Sequence, residues 1–366
     1  MAEWNVLDHG ALGDGVTLDD DAVARVLGRA AAGDTVLFPA GHTFLLDGVR
    51  LRAAVTLSAR GAALRKAPRT PGHLFRDTAG TASGTRVLGG RFDMNRGAFT
   101  AGQTVSPFHF VRADDLVFEG LHVHDGVEEG LKLYACQRVR VVGCRFERIR
   151  NNGVQFHTPP IDGHTGTRPP RDSAHLLVHG CTFEDIDDGA EGRLDGHGVT
   201  FNATHTRHTT RDGVVFGCTF RRCIRGIWAE FGGGQGRRPG LRLRFVQNEV
   251  HDARFFGMGM VGVEDGAMIG NTVRATGARP PAPPDTSDET VGIVVSGDRW
   301  AETHRILCAE NEVTDGRSPA LMQYGIRLKR GSGHTVRQNR VAGALVSGVA
   351  VERLVTASDV QRGPAG

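Results

Sequence analysis

Nine short segments of this 366-residue chain repeat one phrase: a small or turn residue, then apolar, variable, apolar, variable. They open at Pro107, Gly130, Gly153, Gly198, Gly226, Gly257, Gly292, Gly325 and Gly348, and include Leu131-Lys132-Leu133-Tyr134, Val154-Gln155-Phe156-His157 and Ile227-Trp228-Ala229-Glu230. Alternation at a period of two marks a strand with one buried face, and recurrence roughly every 23–35 residues marks a solenoid with one such strand per turn. A second, out-of-phase phrase lies upstream of several of them: Leu121-His122-Val123, Cys144-Arg145-Phe146, Cys181-Thr182-Phe183, Cys218-Thr219-Phe220, Asn248-Glu249-Val250, Asn271-Thr272-Val273, Asn311-Glu312-Val313 and Asn339-Arg340-Val341. Stacked coil on coil, these put Cys and Asn in one interior column, where an Asn side chain bonds the backbone of the next coil and a Cys fills the same small space.

The expected fold class is therefore all-β, a right-handed parallel β-helix, since a sandwich would need hairpin turns between neighbouring strands. A solenoid lengthens without thickening, so one domain accounts for residues 1–366: a cap segment over about 1–50, coils over about 51–355 and a tail over 356–366. The 51 glycines suit a chain that turns several sharp corners per coil. Helix is expected only near Asp19 to Leu27, where an acidic run opens an apolar face of Ala22, Val23, Val26 and Leu27 that caps the open end of the coil.

A formal charge of +3, from 44 basic and 41 acidic residues, is spread without a run and gives no footing for nucleic acid or a membrane surface. No transmembrane stretch or secretory leader is legible, so the expected location is cytoplasmic if Met1 is the native start, and secreted if a leader has been removed. The six cysteines read as reduced structural thiols, because Cys144, Cys181 and Cys218 belong to the ladder and a long chain with a real core needs no staples.

The segment from Asn5-Val6-Leu7-Asp8-His9-Gly10-Ala11-Leu12-Gly13-Asp14-Gly15 to Asp34-Thr35-Val36-Leu37-Phe38-Pro39 resembles the opening of the pectate lyase superfamily of β-helix proteins. That resemblance implies the fold; the opening is shared by pectin hydrolases, lyases, sugar epimerases and phage tailspikes. Read as plain structure, Gly10, Gly13 and Gly15 make turns and Asp14 and Asp19 bond backbone near the cap. Gly196-His197-Gly198 and Gly325-Ile326-Arg327-Leu328-Lys329 resemble two motifs of the polygalacturonases. Asn151-Asn152 stands where their Asp pair belongs, Glu129 stands at their first Asp, and inverting hydrolysis needs two carboxyl groups across one bond.

Strand parity selects the residues that can do chemistry. With Leu131, Val154, Val199 and Ile227 facing inward, the alternates face out in two columns: His109, Lys132, Gln155, Thr200, Trp228 and, after two bland coils, Arg327; and Tyr134, His157, Asn202, Glu230 and, later, Lys329. At a coil spacing of about 4.8 Å, those from Lys132 to Glu230 fall within roughly 15 Å. Long insertions after His157, Asn202 and Glu230, with the Glu184 to Asp195 and Ala278 to Glu289 stretches opposite, are expected to wall a cleft over this patch. An outward Trp228 offers a flat platform to a sugar face.

The expected activity is a lyase or epimerase acting on a carbohydrate by proton abstraction. Lys132, Tyr134 and His157 resemble in kind the Lys, Tyr and His sets of uronate lyases and mannuronan epimerases, although their Tyr-Gly-x-Asp-Pro-His signature is absent. His157 or Tyr134 would take the proton beside a carboxylate and the other would donate, while Lys132, Gln155 or Asn202 holds the developing charge; Glu230 is a further acid or base. His109, Thr200, Trp228, Arg327 and Lys329 would bind substrate. The alternatives are isomerisation, dehydration or cyclisation of a small metabolite inside the cell, polygalacturonase-like hydrolysis, and a glycan-binding solenoid without chemistry. The partner expected is a small molecule or oligosaccharide, and the pattern sets no oligomeric state. No cofactor or metal is expected: His205 and His208 lack a third ligand and read as surface histidines. Asp185, Asp187, Asp188, Glu191 and Asp195, a calcium candidate by resemblance to some pectate lyases, read as a solvated acidic loop.

Overall fold

The computed structural model describes residues 1–159, 171–187, 196–205, 207–232, 237–277, 289–297 and 301–361. Every strand pairing among them is parallel, and successive coils stack three sheets of 11, 12 and 18 strands into a right-handed parallel β-helix. All nine strands of the first phrase lie in the 11-stranded sheet, from Phe108–Val111 to Ser347–Val351, preceded by Val49–Arg50 and Phe75–Asp77. The second phrase supplies eight strands of the 12-stranded sheet, from His122–Gly126 to Arg340–Ala342. A coil thus carries three strands where one per turn was expected. Those of the 18-stranded sheet, such as Gln137–Val142, Ser173–His179 and Thr210–Phe216, escaped notice because apolar residues stand on both of their faces and blur the alternation.

Parity holds. Leu131, Leu133, Val154, Phe156, Val199, Phe201, Ile227 and Ala229 are fully buried in one core. At seven of the nine phrases, from Gly130 to Gly325, the opening glycine serves space, not a turn: a Cβ at Gly198 would lie 2.3 Å from the Phe220 ring, and one at Gly325 2.1 Å from Val341. Those rings and valines form the interior column of the second sheet, so the corner closes only where a side chain is missing.

The Cys and Asn column forms as expected. The N–H of Cys144 donates to Cys181 Sγ and that of Cys181 to Cys218 Sγ, both at 3.4 Å, and Cys218 donates to Asn248 Oδ1 at 3.0 Å. Asn248, Asn271 and Asn311 each donate N–H and Nδ2 to the Oδ1 of the next Asn, ending on Asn339, at 2.8–3.0 Å. All six thiols are free and buried.

Outside, two corners carry residues in the left-handed region. One column runs Asp115, Arg138, His175, Asp212, Arg242, Asp265, Arg305, and the other Asp125, Arg148, Asp185, Arg222, Asp252, all with φ between 52° and 58°. Arg138, Arg148, Arg222, Arg242 and Arg305 each grip the Asp of the preceding coil with Nε and Nη2, at 2.6–2.8 Å and 3.0–3.1 Å. Asp tolerates this backbone well and Arg does not, so the two-pronged contact offsets a conformational cost of about 1–2 kcal/mol per Arg.

At the start of the chain, the helix Asp20–Arg29 buries Ala22, Val23, Val26 and Leu27. Asp19 accepts from the Leu12 and Gly13 N–H groups and Asp14 from those of Val16 and Thr17, the backbone role read for both. Stacking is already under way here, with Glu3–Asn5 beside Thr35–Leu37. No helix among the described residues is long and apolar enough to cross a membrane.

Candidate functional site

Strand register sets the outer face of the 11-stranded sheet. His109, Lys132, Gln155, Thr200 and Trp228 are successive partners, as are Tyr134, His157, Asn202 and Glu230. Both columns stand where parity placed them. Yet most of these side chains are far from solvent: His109, Lys132, Tyr134, His157, Thr200 and Trp228 are each less than a tenth exposed, Gln155 and Asn202 are half-buried, and Glu230 alone is open.

The Tyr134 and His157 rings lie 4.9 Å apart, and His109 packs edge-on to Tyr134 at 5.3 Å. His157 Nδ1 is 2.6 Å from Asn202 Oδ1. A carbonyl oxygen only accepts, so Nδ1 carries the proton and Nε2 is the basic nitrogen; the Thr204 hydroxyl lies 3.3 Å from it. The Tyr134 hydroxyl reaches Gln155 Oε1 at 3.5 Å. Burial, reinforced by the charge of Glu129, raises the Tyr134 phenol above its ordinary range and keeps its proton on. The pair thus offers one base and one acid. Asn202, expected to touch substrate, instead fixes the histidine.

Beneath Tyr134 lies a cluster that sequence reasoning only brushed. Lys132 Nζ is 2.7 Å from Glu128 Oε1 and 3.4 Å from Glu129 Oε2, and 5.5 Å from the centre of the Tyr134 ring. Burial disfavours the Lys132 charge, but Glu129, Tyr134 and Glu128 outweigh it and hold the ammonium firmly protonated. Glu129 also accepts from Asn151 Nδ2 at 3.2 Å. Burial, with the neighbouring Glu128 charge, pushes the Glu129 carboxyl up to about 8, although Lys132 opposes it. Glu129, noted only as standing at a missing Asp, is thus a buried carboxyl of raised pKa coupled to Glu128 and Lys132. His73, whose ring is 4.5 Å from that of His109, is driven down to about 3 by burial and by the charges of Lys132 and Arg76. It had no signal in the sequence, because it lies outside the repeated phrases.

Four expectations need correction. Trp228 is 5% exposed and no open platform. Its ring stacks on Phe256 at 5.2 Å, lies over Gly259 and packs with Val291 and Val294, while the Arg225 guanidinium sits 4.4 Å from its centre. Glu230 accepts the indole N–H at 2.7 Å and so anchors Trp228. Arg327 stands three rungs past Trp228 and is bound to Glu289 and Glu352, and Lys329 is bound to Glu289 at 2.9 Å. These two cations belong to an ion-pair network away from the patch. His205, finally, is buried: its Nδ1 accepts from the Arg207 and His208 N–H groups, and His208 pairs with Asp172 at 3.1 Å.

His197 of the Gly-His-Gly segment accepts from Arg225 Nη1 at 2.8 Å, opposite Trp228 and apart from Tyr134 and His157. Asp185 is held by Arg222 and lies in the corner ladder; Asp188, Glu191 and Asp195, with most of the expected cleft walls, fall outside the described residues. One group on the second sheet, Asp93, His124 and Asp125, brings its ligand atoms within 4.8 Å of one another. His124 uses both ring nitrogens already, on Asp125 at 2.6 Å and Arg91 at 2.7 Å, which leaves none for a metal.

No protein-family model and no curated protein matches the chain. Solved structures do. An A-module of a mannuronan C-5 epimerase from Azotobacter vinelandii superposes with a TM-score of 0.67 at 14% identity, covering 98% of each chain. A tailspike protein of E. coli bacteriophage HK620, in complex with a hexasaccharide, gives 0.69 at 16%, covering 98% of this chain and 64% of that one. A family 28 exopolygalacturonase from Yersinia enterocolitica gives 0.58 at 12%, covering 98% and 79%. At these identities the likeness establishes the fold, the right-handed parallel β-helix of pectate lyase-like and polygalacturonase-like proteins.

Proposed function

We propose that the chain is an enzyme acting on an acidic carbohydrate, removing the proton next to a sugar carboxylate. The observation that carries this reading is the Tyr134 and His157 pair: a base with its tautomer fixed by Asn202, beside a buried phenol that keeps its proton. His157 Nε2 takes the proton and the Tyr134 hydroxyl delivers one, to the leaving oxygen in a lyase or to the opposite face in an epimerase. Lys132 has three N–H donors and two carboxylate neighbours; the third donor, with Gln155 and Thr200 in the same column, meets the substrate carboxylate as charge develops. The structural likeness to a mannuronan C-5 epimerase, and to a tailspike solved with an oligosaccharide, supports a sugar as substrate.

The test is a panel of uronate polymers and oligomers in deuterated buffer. Deuterium at the carbon bearing the carboxylate reports epimerisation, and ultraviolet absorbance of an unsaturated uronate reports elimination. Loss of either signal in both His157→Ala and Tyr134→Phe supports the reading; full activity in either variant overturns it. Glu129 carries a second reading, hydrolysis, because a buried carboxyl of raised pKa is the general acid that a glycosidase needs. New reducing ends without deuterium or unsaturation, abolished in Glu129→Gln, would put that reading first.

A further inference from the structure

The three outer faces of the solenoid differ in kind. On the second sheet one outward column runs Arg91, His122, Arg145, Thr182, Thr219 and Glu249, polar throughout. The first sheet carries the candidate site. On the third sheet the outward column through Val142, His179, Phe216, Val246, Ile269 and Ala309 is apolar on all but one rung. The column beside it adds Leu177, Val214, Ala267 and Leu307, with the exposed Arg140 and Arg244 on its other two rungs. Most of these side chains are half-buried by their neighbours alone, and His179 is exposed. Little stands up along one border, because the next residues are Gly120, Gly143, Gly180, Gly217 and Gly270 in left-handed corners, with Gln247 and Glu310 in the same corner on the remaining two rungs. A Cβ at Gly120, Gly143 or Gly180 would meet nothing within 4 Å. The result is a flat apolar strip on a soluble fold, the surface that a second sheet covers.

We infer that this face pairs with a second copy of the chain, the two solenoids lying antiparallel about a twofold axis between the Phe216 and Val246 rungs. Charge selects the occupant. Counting outward from that axis, Phe216 meets Val246 of the other copy, His179 meets Ile269, and Val142 meets Ala309. One rung further, Glu119 meets Arg337. In the neighbouring column the same axis sets Arg86 against Asp359, both exposed. Symmetry doubles each contact, so four opposite-charge pairs close the two ends of an apolar centre. Glu119 binds Arg60 through Oε1, yet its side chain stays 44% exposed. Arg140 and Arg244 fall opposite Leu307 and Val214, where their stems lie on apolar surface and their guanidinium groups reach the rim. A parallel arrangement would make neither end pair.

Seven coil spacings of about 4.8 Å give the strip a length of roughly 34 Å. With two columns of width it presents roughly 400 Å² per copy, about half of a standard interface, so association is weak and concentration-dependent.

Sedimentation velocity on the full chain, from roughly 1 to 200 µM, tests this. A monomer–dimer equilibrium with a micromolar constant is expected, at least tenfold weaker in Phe216→Lys and in Val246→Lys. Glu119→Arg and Arg337→Glu should each weaken it, and the double variant should restore it. Circular dichroism of each variant confirms the fold. A monomer throughout the range, a dimer indifferent to Phe216→Lys and Val246→Lys, or a double charge variant weaker than either single one overturns the inference.

Discussion

His157 Nδ1 lies 2.6 Å from Asn202 Oδ1, one rung further along the sheet. That contact decides which nitrogen carries the proton and which is the basic one, and it makes Asn202 a positioning residue whose effect runs through His157.

Replacing Asn202 by Ala should therefore lower kcat by roughly ten- to a hundredfold with little change in KM, and move the acid limb of the rate profile. His157→Ala and Tyr134→Phe should remove turnover altogether, and Asp187→Asn should leave it in place. Steady-state kinetics against pH on the responsive uronate, with thermal melts as control, checks all four.

Burial and the neighbouring Glu128 charge push the Glu129 carboxyl above its ordinary value of 4.5, to about 8. A folded-state value raised in this way gives stability that is whole below 4.5 and drains away as pH rises through 8. Urea melts at about pH 5 and about pH 9 should show wild type losing a few kcal/mol relative to Glu129→Gln. Parallel curves for the two proteins would mean that the carboxyl is ionised throughout.

Trp228 belongs to a packed cluster, so Trp228→Ala should cost about 3 kcal/mol of stability, by denaturant unfolding. A KM that rises tenfold with unfolding unchanged would restore the platform role that its outward position suggested.

Asn271 accepts from Asn248 and donates to Asn311 and to the Phe245 carbonyl. Asn271→Ala strands those groups in the interior and should cost about 2–3 kcal/mol. Cys218→Asn, extending the ladder by a rung, should change stability by less than about 1 kcal/mol. Chemical denaturation of both variants gives the comparison.

Much of the fold was legible because two of the three sheets advertise themselves: glycine-led alternation marks one, and the Cys or Asn step marks the other. The third was silent, since Leu176-Leu177-Val178 and Val214-Val215-Phe216 are apolar on both faces and period two disappears. Parity placed Tyr134, His157 and Asn202 correctly, because register follows from the buried alternates. It was blind to what happens above the sheet. Whether Trp228 stands open or lies over Gly259, and whether Lys132 is free or held by Glu128 and Glu129, depends on side chains from other rungs and turns. Nor does period two reveal that a glutamate one residue outside the phrase is buried deeply enough to raise its pKa.

The alternating Asp and Arg corners make the coils unequal as units of inheritance. Each Asp stands between arginines, or an Arg between aspartates, along Asp125, Arg148, Asp185, Arg222 and Asp252. Excising one coil would set Asp125 against Asp185 or Arg148 against Arg222, whereas excising two would renew the pairing. Along this column the pairing survives a change in coil number only in even steps, so its natural building block there is the pair of coils and not the single turn.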